Sequence, residues 1–209
     1  MTKKKIIITG GQGRFAQILK TNNIDLNINF PSKKQLNILK ISSIKKYIKK
    51  NKPKYLIHCA ALSRPMSIHD KSISKSIDIN IIGTSNIVKV CAEFNIKLIY
   101  FSTGYVYEGK KGNYKETDSV LPINNYAWSK LGGECAVSMY KNSLILRIIM
   151  CEKPFMHKKA FGDIKTNFMF HEDVVKIIPK ILTKKGIINI GGKIQSVYDF
   201  AKKTSPTIK

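Results

Sequence analysis

Short runs of branched aliphatic residues alternate, over the first 150 positions, with stretches whose apolar residues recur every three or four. Strand-length apolar runs separated by helical periods are the pattern of βαβ units, which build a parallel sheet. Residues 6–9 read as a first strand, and 13–20 open the first helix. Short strands are expected at 28–30 and 36–38, a helix at 42–51 and a buried strand at 55–59. The span 74–95 reads as one long helix, 97–102 as a strand, 126–140 as a helix and 144–148 as a return to the sheet. Beyond about 150 the pattern thins to a helix at 172–182, a strand at 187–190 and a last helix at 197–203. The expected class is α/β with a doubly wound parallel sheet, 1–150 forming the core and 151–209 a small, reduced lobe without a sharp boundary.

A chain of 209 residues can bury one sizeable core but not two. The formal charge of +24 is carried mostly by lysines spread over nearly every segment. No arginine-rich tract or basic-aromatic stripe marks a nucleic-acid groove, so the expected partner is a small anion rather than a nucleic acid. Cys59, Cys91, Cys135 and Cys151 lie among apolar residues without metal-ligand spacing, which predicts buried thiols, a reducing compartment and no metal site. After the lysines at 3–5 only three isoleucines precede a glycine turn, and no apolar run has membrane-spanning length. A cytoplasmic protein without membrane contact is expected.

That glycine turn, Ile8-Thr9-Gly10-Gly11-Gln12-Gly13-Arg14-Phe15-Ala16, joins the first strand to the first helix. Gly10 permits the tight turn, and Gly13 lets backbone approach a pyrophosphate whose charge the helix N-terminus stabilises. Ala16 stands where a third small residue lets helix and strand pack closely. This is a Rossmann-type dinucleotide turn, with the spacing Gly-x-x-Gly-x-x-Ala. No carboxylate ends the second strand; the chain there reads Phe30-Pro31-Ser32-Lys33-Lys34. Cations without an acid suit a 2′-phosphate, so Lys33 and Arg14 point to NADPH, with NADH possible.

Tyr126 and Lys130 stand four apart, on one face of the expected helix. A neighbouring ammonium stabilises phenolate, which would let the tyrosine exchange a proton near neutral pH. The strand at 97–102 ends in Ser102-Thr103-Gly104, where ligands meet a parallel sheet, and Thr103 could donate a hydrogen bond to a carbonyl. Ala60 and Ala61 end another strand with little bulk. Asn80 is an odd polar residue in an apolar helical stretch.

In this order, Ser102-Thr103-Gly104-Tyr105-Val106-Tyr107-Glu108-Gly109, Tyr114-Lys115-Glu116, Asn125-Tyr126 and Ser129-Lys130-Leu131-Gly132-Gly133-Glu134 resemble the dTDP-4-dehydrorhamnose reductase family of extended short-chain dehydrogenases/reductases. Leu36-Asn37-Ile38, Asn80-Ile81-Ile82-Gly83-Thr84 and Leu146-Arg147 fall where that family has its landmarks. The resemblance covers about residues 4–150. It implies that Thr103 polarises the C4 carbonyl of a nucleotide-linked 4-keto-6-deoxy sugar and that Tyr126 protonates the developing alkoxide. Lys130 would lower the phenol pKa and grip the nicotinamide ribose, while Asn80 supports the active-site helix, with or without a water between. Gly13, Arg14 and Phe15 would meet the pyrophosphate, Asn37 and Ile38 the adenine, and Ala60, Ala61 and Phe101 the rest of the cofactor.

The departures bear on the substrate. Gly104 stands where the family usually has Asp and Met150 where it usually has an aromatic, both on the substrate side; the chain beyond Leu146 is shorter than the family's sugar lobe. Tyr105 replaces the cysteine of a bifunctional epimerase/reductase group, and neither Gly104 nor Tyr105 supplies a dehydratase's carboxylate. Epimerase or dehydratase chemistry is therefore the alternative enzyme, and a non-catalytic, cofactor-binding regulatory subunit the alternative outside catalysis. His58 is expected to pack in the core, as is Trp128; His157 and His171 are possible acids of the substrate lobe. The helices 74–95 and 126–140 could form a four-helix homodimer contact.

Overall fold

The Ile6-Ile7-Ile8 run shows how alternation makes three layers. In the computed structural model, which describes residues 4–22 and 24–209, Ile6 and Ile8 enter one core and Ile7 the other. In chain order the elements are β1 (Lys5–Thr9), α1 (Arg14–Thr21), β2 (Asn27–Asn29), α2 (Ile41–Asn51), β3 (Tyr55–His58), α3 (Ile68–Lys71) and α4 (Ile73–Ser76). A π-helical turn (Ile77–Ile82) leads into α5 (Gly83–Glu93), β4 (Lys97–Phe101), a 3₁₀ turn (Gly104–Val106), α6 (Asn125–Ser138) and β5 (Ser143–Ile148). Then come β6 (Met150–Cys151), β7 (Lys165–Thr166), β8 (Met169–Phe170), α7 (His171–Ile181), β9 (Gly186–Ile190), β10 (Gln195–Ser196) and α8 (Val197–Lys202).

Six strands form one parallel sheet in the order β2-β1-β3-β4-β5-β9. Its central strands β1, β3, β4 and β5 are largely buried because helices cover both faces. Phe15, Leu19, Val174 and Ile178 of α1 and α7 pack on one face; Ile44, Ile48, Ile87, Val90 and Val137 of α2, α5 and α6 pack on the other. From β1 the chain goes to one side for β2 and to the other for β3. That reversal opens a crevice at the carboxyl ends of β1 and β3. The sheet and its helices confirm the doubly wound α/β class. Although α7 and β9 lie beyond residue 150, β9 pairs with β5, Ile188 opposite Leu146. The two-stranded pairings β6–β8 and β7–β10 stand apart from the main sheet. Among the described residues no helix is long and apolar enough to cross a membrane.

Three sequence expectations are corrected. Residues 36–38 form no strand but an irregular segment between two turns, at 33–35 and 38–39. The Gln35 and Leu36 amides both donate to the Ser32 carbonyl, and the Asn37 side chain accepts from the Leu39 amide. These local bonds displace a ladder, while Leu36 and Ile38 are still buried in the second core. The span 74–95 is not one α-helix but α4, the π turn and α5, with Asn80 inside the widened turn. The cysteines are free thiols as expected, yet only Cys91 is buried and Cys135 is exposed on α6.

Candidate active site

Gly10 adopts φ +72°, and a Cβ there would stand 3.0 Å from the Ala60 backbone, so the turn and the end of β3 meet only through glycine. The Gly13 amide donates to the Gly10 carbonyl at 2.7 Å. Gly13 also caps α1 without a side chain, and the first turn of α1 holds no acid. An N-terminus with its amides uncapped and no carboxylate nearby suits a diphosphate. The motif pattern gives no role to Gly11. A Cβ on it would lie 2.6 Å from the Phe30 carbonyl carbon and 2.8 Å from the Pro31 oxygen, so Gly11 lets the segment after β2 run against the turn. Gly11→Ala is expected to cost about 1–3 kcal/mol by forcing backbone apart, read as a lowered midpoint in urea; an unchanged midpoint would contradict this packing.

Behind the turn a buried polar chain fixes the neighbouring strands. The Ala60 amide donates to Thr9 Oγ1, which lies 2.6 Å from His58 Nδ1. His58 Nε2 lies 3.0 Å from Thr84 Oγ1, which donates to the Asn80 carbonyl. With each hydroxyl's proton assigned by this order, His58 is the neutral Nε2–H tautomer, and burial lowers its pKa to about 3. It is a core residue, as expected. Asn80 is fully buried: it accepts from the Leu62 amide and donates to the Leu62 carbonyl and to Ser129 Oγ. Ser129 Oγ donates to the Tyr126 carbonyl. Asn80 thus supports α6 directly, with no water needed.

The expected nucleotide contacts are distributed differently. Lys33 is exposed in the turn after β2, and the Asn37–Ile38 segment is tied to α5 by Asn86, which donates to the Ile38 carbonyl. Phe15 and Phe101 are buried against each other, ring centres 5.1 Å apart. Arg14 is held by a carboxylate. Its Nε is 2.8 Å from Glu152 Oε1, while the other oxygen of Glu152 accepts from Arg64 Nη1 at 2.8 Å. Glu152, missed in the sequence, thereby clasps the C-terminal segment to both arginines. His171 is buried with its ring against Phe15, not in the cleft.

Thr103 follows β4, while Tyr126 and Lys130 stand one turn apart at the start of α6, where Asn124 caps the helix by accepting from the Ala127 amide. Thr103 Oγ1 accepts from the Tyr105 amide and faces the Tyr126 phenol. Burial, then Tyr105, push that phenol up to about 12; Arg64 and the Thr103 hydroxyl pull the other way. The expected lowering by Lys130 is not found. Lys130 is buried with Nζ 4.1 Å above the Tyr100 ring, and burial brings its pKa down to about 8. Trp128, expected to pack, is half exposed.

Beneath them Glu134 accepts from Ser102 Oγ and from Arg147 Nε and Nη2, and Arg147 Nη1 donates to the Tyr107 hydroxyl at 2.7 Å. Gly104 and Met150 line an open cleft of about 1610 Å³ together with Arg64, Tyr105, His157 and Lys158. A Cβ on Gly104 would press on Ile149 at 2.9 Å.

The chain is 37% identical over 102 residues to methionine adenosyltransferase 2 subunit beta of Xenopus laevis, covering 49% of this chain and 30% of that protein. It is 28% identical over 173 residues to dTDP-4-dehydrorhamnose reductase of Aggregatibacter actinomycetemcomitans, covering 79% of this chain and 54% of that protein. It therefore spans about a third to a half of the length of these relatives. The crystal structure of dTDP-4-dehydrorhamnose reductase from Bacillus anthracis in complex with NADP superposes with a TM-score of 0.88 at 25% identity, covering 97% of this chain and 80% of that one. The family model of the RmlD substrate binding domain matches residues 4–161. With most of its length accounted for by that match, the chain belongs to the RmlD substrate binding domain family.

Proposed function

We propose that the chain is an NADPH-dependent reductase of a nucleotide-linked 4-keto-6-deoxy sugar. The observation that carries this reading is the Thr103 hydroxyl facing the Tyr126 phenol at the carboxyl end of β4, next to Gly104 and Tyr105, which line an open cleft. Gly10 and Gly13 leave room and bare amides for a dinucleotide diphosphate, Ala60 and Ala61 line its path, and Lys33 meets the 2′-phosphate. When bound, the dinucleotide supplies a hydride to the sugar C4. Thr103 donates to the C4 oxygen, and Tyr126, which holds its proton at neutral pH, delivers it to that oxygen as negative charge develops. Lys130, cationic below about pH 8, holds the ribose hydroxyls. Gly104 and Met150 shape the sugar's side of the cleft.

The test is NADPH oxidation with dTDP-, UDP-, GDP- and CDP-linked 4-keto-6-deoxy sugars, of which at least one is expected to turn over. By calorimetry NADPH should bind more tightly than NADH, and Lys33→Ala should narrow the difference roughly tenfold through loss of one charge-assisted contact. Equal dissociation constants for both cofactors in the parent chain would overturn the choice of NADPH. A second reading, a cofactor-binding subunit without turnover, is favoured by the identity to methionine adenosyltransferase 2 subunit beta. It predicts dinucleotide binding with no oxidation on any of the four sugars.

A further inference from the structure

The segment between β3 and the π turn holds a histidine that neither the motif pattern nor the proposed chemistry uses. His69, on α3, is 1% exposed, and its ring centre lies 5.2 Å from that of Tyr126 at an interplanar angle of 57°. Its Nδ1 is 2.5 Å from Ser76 Oγ on α4. Its Nε2 is buried and, among the described residues, has no hydrogen-bond partner. The next residue, Asp70, accepts through Oδ1 from Asn125 Nδ2 at 2.8 Å. Consecutive residues of α3 therefore hold consecutive residues of α6, Asp70 on Asn125 and His69 on Tyr126.

A buried nitrogen without a partner is costly, and a phenylalanine would fill the same space without that cost. What phenylalanine lacks is a ring atom that Ser76 can bond. That bond selects one orientation of the imidazole plane, and a fixed plane packed on the phenol limits both the swing of the ring about Cα–Cβ, which carries the hydroxyl with it, and the flips of the ring about its own axis. The Tyr126 hydroxyl then stays aimed at Thr103 before any ligand arrives, which is the preorganisation a proton donor needs.

We propose that His69, tethered by Ser76, is a positioning residue for Tyr126; its catalytic significance rests on the reading of Tyr126 as the proton donor. A histidine that merely filled the core would stabilise the chain without governing the motion of this one ring. The distinguishing measurement is ring-flip NMR on the full chain carrying ¹³C-labelled tyrosine, without cofactor, with Tyr126 assigned through Tyr126→Phe. The parent should give separate signals for the two sides of the Tyr126 ring. His69→Ala should merge them, Ser76→Ala should broaden them, and the other tyrosines should not change. Separate, unaltered Tyr126 signals in a folded His69→Ala chain would overturn the proposal. If His69→Ala does not fold, unaltered signals in Ser76→Ala, which keeps the imidazole and removes only its tether, would do the same. In turnover, His69→Ala should lower kcat about tenfold with KM for NADPH unchanged; a rise in KM alone would count against positioning. The NMR arm needs no turnover, so a parent chain that oxidises no NADPH refutes the reductase reading while the ring signals still decide the role of His69.

Discussion

Tyr126→Phe is expected to bind NADPH as the parent chain does and to lose turnover by a factor on the order of 10²–10⁴. Only a hydroxyl is removed. The ring remains against His69, and the helix cap at Asn124 and the Ser129 bond that hold this turn of α6 are untouched. What is lost is the proton that a phenol held near pKa 12 still carries throughout the neutral range. Lys130 sets the alkaline limit. Its folded pKa is about 8, below the ordinary lysine value of 10.5, so it is cationic below pH 8 and loses its charge as pH rises through that value. Reduction should therefore hold level through neutrality and fall above about pH 8. Parent-rate turnover in Tyr126→Phe on any accepted sugar would remove Tyr126 from the mechanism.

Arg147→Met is expected to give the largest loss of stability, about 3–5 kcal/mol, because it strands the Glu134 carboxylate in the core. Both side chains are nearly inaccessible, at 6% and 3% of their surface, and the guanidinium reaches both carboxylate oxygens. Ser102 alone cannot replace those bonds. The Tyr107 hydroxyl, which the same arginine contacts, also loses a donor. Pairing the change with Glu134→Leu removes the stranded charge and should restore most of the midpoint in urea. A single variant within about 1 kcal/mol of the parent would show that the pair is not a keystone of this core.

Where the signal is local, the sequence is a good guide. Gly10 must take a positive φ in a strand-to-helix turn, and the alternation of Ile6, Ile7 and Ile8 names two cores without any knowledge of what fills them. Tyr126 and Lys130 share a helix face because of their spacing alone. What the sequence hides depends on distant partners. Nothing near Lys130 announces that it lies over the Tyr100 ring, thirty positions away, and nothing near Glu152 announces Arg14 or Arg64. Cys135 is followed by Ala136 and Val137 in sequence yet is exposed, because a helix turns one side outward whatever flanks a residue. The segment 36–38 has the apolar positions of a strand, but Ser32 and Asn37 offer its backbone nearer partners. His69 is legible only once α3 is laid beside α6.

The π turn at Ile77–Ile82 acts as a phase adjuster. One extra residue per turn rotates the chain on its N-terminal side by about 100° relative to the chain on its C-terminal side. A helical wheel drawn straight through this stretch would therefore put Ile73 and Ile77 on the wrong side. They are exposed, whereas Ile87, Val90 and Cys91 beyond the turn are buried. Deleting a single residue between 77 and 82 would bring both halves into one phase, so that Asn80 and the apolar stripe of α5 could not both face inward. Counted against an unbroken α-helix, the turn amounts to one inserted residue, with Asn80 inside it.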